Sequence, residues 1–178
     1  PMEEEGCSEV AEKLSGLLAG SDVVAVLNGP AGEGRDTVVF SANGVIGRFS
    51  GDVLEPLDTP AGRIGTVWGD DGWNPEPVRC LMLGGSEAVV WYGDGKRLRD
   101  ISVKVARTRA AENRIFLLYF HGGEDALVAG PSGAVLAETL DEGDQAVSAM
   151  IRRSESRGKT VVPGTNIVSG RLPSAYGG

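Results

Sequence analysis

Residues 59–91 read TPAGRIGTVWGDDGWNPEPVRCLMLGGSEAVVW, and the order of residue types in this stretch decides the fold class. Residues 63–67 form a short β-branched run that reads as a buried strand. The GDDGWNPEP segment after it reads as a strand-to-helix turn, with Pro75 suited to a first helical position and Glu76 beside the positive end of the helix. Val78, Leu81 and Met82 then recur at helical spacing, and Gly84-Gly85 stops the helix before an apolar strand at 88–91. The unit is strand, elbow, helix, strand. An elbow of this kind presents the residue at its apex above the sheet, the place for a nucleophile.

The rest of the chain continues the α/β order. Val10, Leu14, Leu17 and Leu18 make one apolar stripe on an opening helix over 9–19, and 23–27 is a continuous apolar strand. A glycine-rich loop follows at 28–36; it lacks the G-K-[ST] ending of a phosphate loop, which argues against nucleotide binding. Strands at 37–42 and 45–49 flank Asn43-Gly44, which predicts a type I′ hairpin turn with positive φ at both residues. A second helix is predicted at 98–113, with Ile101, Val105, Thr108 and Glu112 along one stripe. Strands are predicted at 115–120, 126–129 and 134–139, the last two joined across Gly130-Pro131-Ser132-Gly133, and a further strand or short helix at 145–151. The tail, 152–178, reads as polar and irregular. The expected architecture is two packed sheets with helices outside, in which Ile64, Val67, Val89 and Val90 are buried together.

Composition sets the class. A chain of 178 residues, 41% of them hydrophobic, fits a single domain over 1–178 with a sizeable core. The net charge of −8 is spread along the chain and argues against nucleic acid and anionic membranes as partners. The apolar runs are strand-sized, far short of the roughly 20 residues of a membrane helix, and the acidic start at Glu3-Glu4-Glu5 does not read as a signal peptide. Two cysteines, Cys7 and Cys80, are too few for a disulfide framework, which makes a reducing cytoplasm the default location. The 27 glycines are interleaved with Val, Leu and Ile, which favours many tight turns between short strands.

Several separated motifs resemble those of the nitrilase (carbon–nitrogen hydrolase) superfamily. There the nucleophile region reads roughly T-P-x-G-x-I-G, a few apolar residues, C-Y-D, P-E-x-x-R and L-x-x-x-G-A-E. Laid on without gaps, Thr59, Pro60, Gly62, Ile64, Gly65, Asp71, Pro75, Glu76, Arg79, Gly85 and Glu87 match. Arg109-Ala110-Ala111-Glu112-Asn113 resembles the family's R-A-x-E-N helix end, residues 130–137 its D-P-x-G-x-V-L-A hairpin, and residues 171–176 its closing R-R-P-x-x-Y. The resemblance implies an α-β-β-α sandwich, here without the family's opening strand and helix, and pairing into dimers.

The departures from the pattern bear on activity. The resemblance implies a Cys nucleophile, a Glu general base and a Lys that stabilises the tetrahedral intermediate. In this chain the cysteine position is Gly69 and the lysine position is Gly51, while the glutamate belongs to the opening part that has no counterpart. Of the remaining candidates, Arg48 is a cation close in sequence to the lost lysine. Asp71 matches a position that braces the elbow, and Asp70 replaces an aromatic at the pocket mouth. His121, the only histidine, is either a loop residue or a group lining the pocket, and with no cysteine near it in sequence it makes no metal site of usual spacing. Cys80 reads as a buried structural cysteine and Cys7 as a surface thiol. Glu112 and Arg79 are expected to hold helices together through charge-assisted hydrogen bonds.

The expected function is therefore a catalytically inactive nitrilase-like domain, a pseudoenzyme without cofactor or metal, acting as a binding or assembly module. Its partner is a second copy or a full-length relative, met through helices 75–83 and 98–113. Two other readings stay open: a hydrolase whose site is completed by Cys80 or a partner chain, and a small-ligand sensor that uses the emptied pocket.

Overall fold

The computed structural model describes residues 13, 24–28, 37–50, 53–95, 98–121, 125–139 and 146–176. Its elements are β1 (Ala25–Asn28), β2 (Thr37–Ser41), β3 (Gly44–Phe49), β4 (Leu57–Thr59), β5 (Gly62–Trp68), α1 (Pro75–Leu83), β6 (Ala88–Gly93), α2 (Arg99–Asn113), β7 (Phe116–His121), β8 (Asp125–Ala129), β9 (Val135–Glu138), α3 (Arg153–Arg157), β10 (Thr160–Val162), β11 (Thr165–Asn166) and α4 (Pro173–Tyr176). Local chemistry explains the boundaries of α1. Pro75 and Pro77 have no N–H to satisfy, so the helix starts without a side-chain cap at Asn74. It ends in a complete Schellman motif, with Gly85 at φ +95°, Ser86 N–H donating to Leu81 O (3.0 Å) and Gly85 N–H to Met82 O (2.9 Å). No helix among the described residues is long and apolar enough to cross a membrane.

Six strands form one mixed sheet in the order β4-β5-β6-β7-β8-β9, parallel from β5 through β7 and antiparallel at both flanks. The register places Val67, Trp91, Tyr119 and Leu127 side by side on one face. That face is covered by Val78, Leu81 and Met82 of α1 and by Ala106 and Ala110 of α2. The three-stranded antiparallel sheet β1-β2-β3 lies against the other face, where Val39 and Phe49 pack with Trp68, and where Val26, Ile46, Leu57 and Tyr92 join them. Tyr92 donates its hydroxyl proton to Val26 O across the two sheets (3.3 Å). The described layers are thus helices, sheet, sheet. The opening helix expected at 9–19 and the loop at 29–36 lie outside the described residues.

Several expectations need correction. The hairpin turn is centred on Ala42-Asn43, with Ser41 paired to Gly44; Gly44 takes φ +103° and Asn43 keeps an ordinary φ. One glycine in the left-handed region, with a register shift between Val39 and Phe40, replaces the expected type I′ turn. On α2 the stripe is displaced: Ser102, Ala106, Arg109, Ala110 and Asn113 are buried, while Ile101 is 47% exposed. The hydrophobicity pattern misled because this helix buries small and polar residues against the sheet. Val67 and Val89 sit in the helix-facing cluster, but Val90, although buried, points to the opposite face, because successive residues of a strand alternate, and Ile64 is only half-buried. Residues 146–151 form neither strand nor helix.

The tail is not irregular either. Glu87, whose side chain is 12% exposed, holds Arg153 (2.7 Å) and Arg157 (2.6 Å) of α3 and also accepts from Arg63 N–H (3.3 Å). Lys159 donates to the carbonyls of Asn113 (3.1 Å) and Arg114 (2.9 Å) at the C-terminal end of α2, where a cation is favoured. Burial, with Arg114 and Arg79 nearby, pushes the Lys159 ammonium down to about 8. Sequence reading missed these ties because their partners are 45 to 70 positions apart.

Two measurements check this packing. Val89 is fully buried in the central parallel strand, so Val89→Asp places an uncompensated charge there. That costs several kcal/mol against a total stability of about 5–15, and a soluble Val89→Asp protein with a cooperative melt would refute the strand assignment. Burial works against the Glu87 charge, but hydrogen bonds from Arg157, Arg153 and Arg63 outweigh it and hold the carboxyl below its usual 4.5. A depressed folded pKa gives stability that is complete above the unfolded value and lost as pH falls through the folded one. Glu87→Gln should therefore lower neutral-pH stability by about 1–2 kcal/mol, speed proteolytic cleavage around 152–158, and flatten the acid limb of the melting-temperature profile relative to wild type.

Candidate functional site

β5 ends at Trp68, and the chain turns at once into a single 3-10 turn, Gly69–Gly72, before α1. Gly69 takes φ +48°, a left-handed conformation that favours glycine. A Cβ built on Gly69 would meet no atom of the described residues within 4 Å. The apex of the elbow therefore projects toward open space, with the sharp backbone of a nucleophile elbow and no side chain on it.

The turn is braced from three sides. Trp91 of β6 donates its indole N–H to Gly69 O (2.9 Å). Gly72 lies so close beneath that indole that a Cβ there would sit 2.1 Å from it, which makes glycine obligatory. Arg109 of α2, only 9% exposed, donates through Nε to Gly72 O (3.2 Å), through Nη2 to Trp73 O and through Nη1 to Glu112 Oε1 (2.7 Å). Arg79 of α1 donates to Glu112 O (2.9 Å), so Glu112 and Arg79 do join the two helices as expected. Arg109 itself escaped the sequence reading, although it opens the R-A-x-E-N pattern. A buried arginine with several carbonyl partners is a tertiary fact with no local periodicity.

The remaining candidates separate into those near the elbow and those away from it. Asp70 is exposed and Asp71 half-buried, both within the 3-10 turn. His121 ends β7 in register with Gly93 of β6, and Trp68 is in register with Tyr92, so Gly69, Gly93 and His121 share the C-terminal level of three neighbouring parallel strands. The spacing of strands puts His121 roughly 10 Å across from Gly69, at the sheet end where open α/β folds bind ligands. Tyr119 Oη lies 2.6 Å from His121 Nδ1. Burial pushes the Tyr119 phenol above its ordinary pKa, and the Asp94 and Asp125 carboxylates act in the same direction. Arg48 lies elsewhere: it is exposed on β3 opposite Val38, on the face turned away from Val39 and the inter-sheet core. Cys80, expected to be buried, is exposed on α1, because the apolar stripe of that helix runs through Val78, Leu81 and Met82. Cys7 and Gly51 lie outside the described residues.

The architecture matches several solved structures. A carbon–nitrogen hydrolase from Helicobacter pylori superposes with TM-score 0.69 at 19% identity, over 86% of this chain and 70% of that one. Nit3 of Saccharomyces cerevisiae, a member of branch 10 of the nitrilase superfamily, gives 0.66 at 18% identity, over 83% of this chain and 66% of its own. A mutant amidase from Nesterenkonia sp., carrying the acetamide moiety of fluoroacetamide on its active-site cysteine, gives 0.66 at 19% identity, over 95% and 72%. No protein-family model matches the sequence, and no curated protein matches it. The chain thus spans about two thirds of these hydrolases, and with a helix-covered sheet, a second sheet against it and a strand-elbow-helix unit at Gly69, it has the fold of the carbon–nitrogen hydrolases of the nitrilase superfamily.

Proposed function

We propose that this chain is a degenerate nitrilase-like domain that hydrolyses no C–N bond and serves as a binding or assembly module. The observation that carries the reading is the apex of the elbow. Its backbone turn and its bracing are intact, a side chain would fit, and the residue there is glycine. An amide or nitrile carbon needs a nucleophile that a base can activate, and a hydrogen atom offers none. The cysteine nearest in sequence, Cys80, faces solvent from α1, which gives the alternative hydrolase no support.

Assembly would use α1 and α2. Leu83 is 40% exposed, Leu98 73% and Ile101 47%, so the two helices carry apolar surface outward as well as inward. The partner is a second copy or a full-length relative. The space that the described residues leave above Gly69 favours a second use of the same fold, as a receptor for a small ligand in the position an enzyme would give its substrate.

The purified protein should hydrolyse acetamide, nitriles and carbamoyl compounds no faster than buffer. Gly69→Cys should fold, since the space is open, with a penalty of about 1–2 kcal/mol for a side chain in the left-handed region, and should still show no turnover. Turnover that survives in a Cys7→Ala/Cys80→Ala double variant, yet vanishes with a different single substitution, would place the chemistry elsewhere and end the inactive reading. Sedimentation equilibrium at micromolar concentration should give a mass above that of one chain; a single-chain mass throughout, with Leu98→Glu/Ile101→Glu behaving identically, removes self-association from the proposal.

A further inference from the structure

At the C-terminal level of the three parallel strands, Gly69 and Gly93 carry no side chain and His121 is the third member. Gly93 is glycine for a reason that involves its neighbour. A Cβ at 93 would lie 2.7 Å from the Tyr119 ring and 2.8 Å from its hydroxyl. Tyr119 therefore leans over the end of β6, 3% exposed and packed in tilted contact at 4.5 Å against Trp91, the residue that braces the elbow, and its hydroxyl meets His121 Nδ1 at 2.6 Å.

The direction of that hydrogen bond follows from the surroundings. The phenol is buried and remains protonated throughout the neutral range. Ser102, whose side chain also approaches the Tyr119 hydroxyl, directs its own proton to Leu98 O (3.2 Å). The phenol proton thus has two acceptors, the Ser102 oxygen and the imidazole nitrogen, and the imidazole is much the stronger base. With Nδ1 accepting, a neutral imidazole carries its proton on Nε2. Asp125, opposite His121 in the register, is engaged by Arg99 (3.0 Å), which also holds Glu138 (3.1 Å). Those carboxylates are directed to the guanidinium.

We propose that Tyr119, admitted by Gly93, orients the His121 ring by donating its phenol proton to Nδ1, which leaves the ring proton on Nε2, and that this N–H is the group by which the sheet end beside the elbow takes a small ligand through a carbonyl or carboxylate oxygen. The ligand half rests on the receptor reading above; the Tyr119–His121 half does not. Tyr119 is a positioning residue here, acting through His121.

His121 is the only histidine in the chain, so a long-range proton–nitrogen correlation spectrum of the uniformly labelled full chain at neutral pH reports it without ambiguity. Wild type should show a single Nε2-protonated form. Tyr119→Phe, which keeps the ring and its packing, should move the two nitrogens toward the averaged values of a free imidazole. Acetamide and acetate should shift the Nε2 signal of wild type, and ethylammonium, of similar size but with no acceptor, should not. An Nδ1-protonated wild type, with the phenol proton on Ser102, overturns the orientation, as does a Tyr119→Phe spectrum identical to wild type. Acetamide or acetate that raises the melting temperature while both ring nitrogens stay still overturns His121 as the contact. If neither compound raises the melting temperature, the receptor reading fails and the ligand half falls with it, while the spectrum alone still judges the orientation.

Discussion

Arg109 is a positive charge brought almost wholly out of water on a helix that faces the sheet. Such a charge is tolerated only when its donors are satisfied and a counter-charge is near. Glu112 supplies the counter-charge, and the carbonyls of Gly72 and Trp73 each take a further donor. The same contacts fix where the elbow sits relative to α2. Gly72 is thereby pressed against Trp91, Trp91 can reach Gly69 O, and the Tyr119 ring packs at a tilt against Trp91. The apex, the two helices and the ends of the parallel strands are one connected arrangement, and the guanidinium is the member whose burial would be most costly to leave unpaired.

This connection explains why the elbow keeps its shape with glycine at its tip. A sharp left-handed turn at the end of a strand strains any residue with a Cβ by about 1–2 kcal/mol, and an enzyme tolerates that strain because the exposed side chain reacts. Glycine at 69 removes the strain, while the bracing by Trp91 and Arg109 remains necessary to join α1 and α2 to the sheet. Glycine at this position is on this account neutral or favourable for stability, in keeping with the usual opposition between a strained site and a stable fold.

What the sequence by itself determined was whatever local chemistry controls. The β5–elbow–α1–β6 unit was legible because Pro75, Gly84-Gly85 and the β-branched run each constrain their own backbone. The glycine at the apex of the elbow was legible too, because a residue type is a sequence fact. The turn was placed one residue too far along and its type was wrong for that reason, since a shift of one residue decides whether Asn43 or only Gly44 needs positive φ. Only the tertiary structure decided which face of α2 is buried, because Ser102, Arg109 and Asn113 are inside for reasons of partnership that no hydrophobic period encodes. It alone ordered the tail, whose ties to Glu87 and to the end of α2 span tens of residues. His121 shows the division most clearly: the sequence could give only a lone histidine near the end of a strand. Its alignment with Gly69 and Gly93, and its hydrogen bond to a buried phenol, exist only because three parallel strands end at one level and a glycine leaves room for Tyr119 to cross between them.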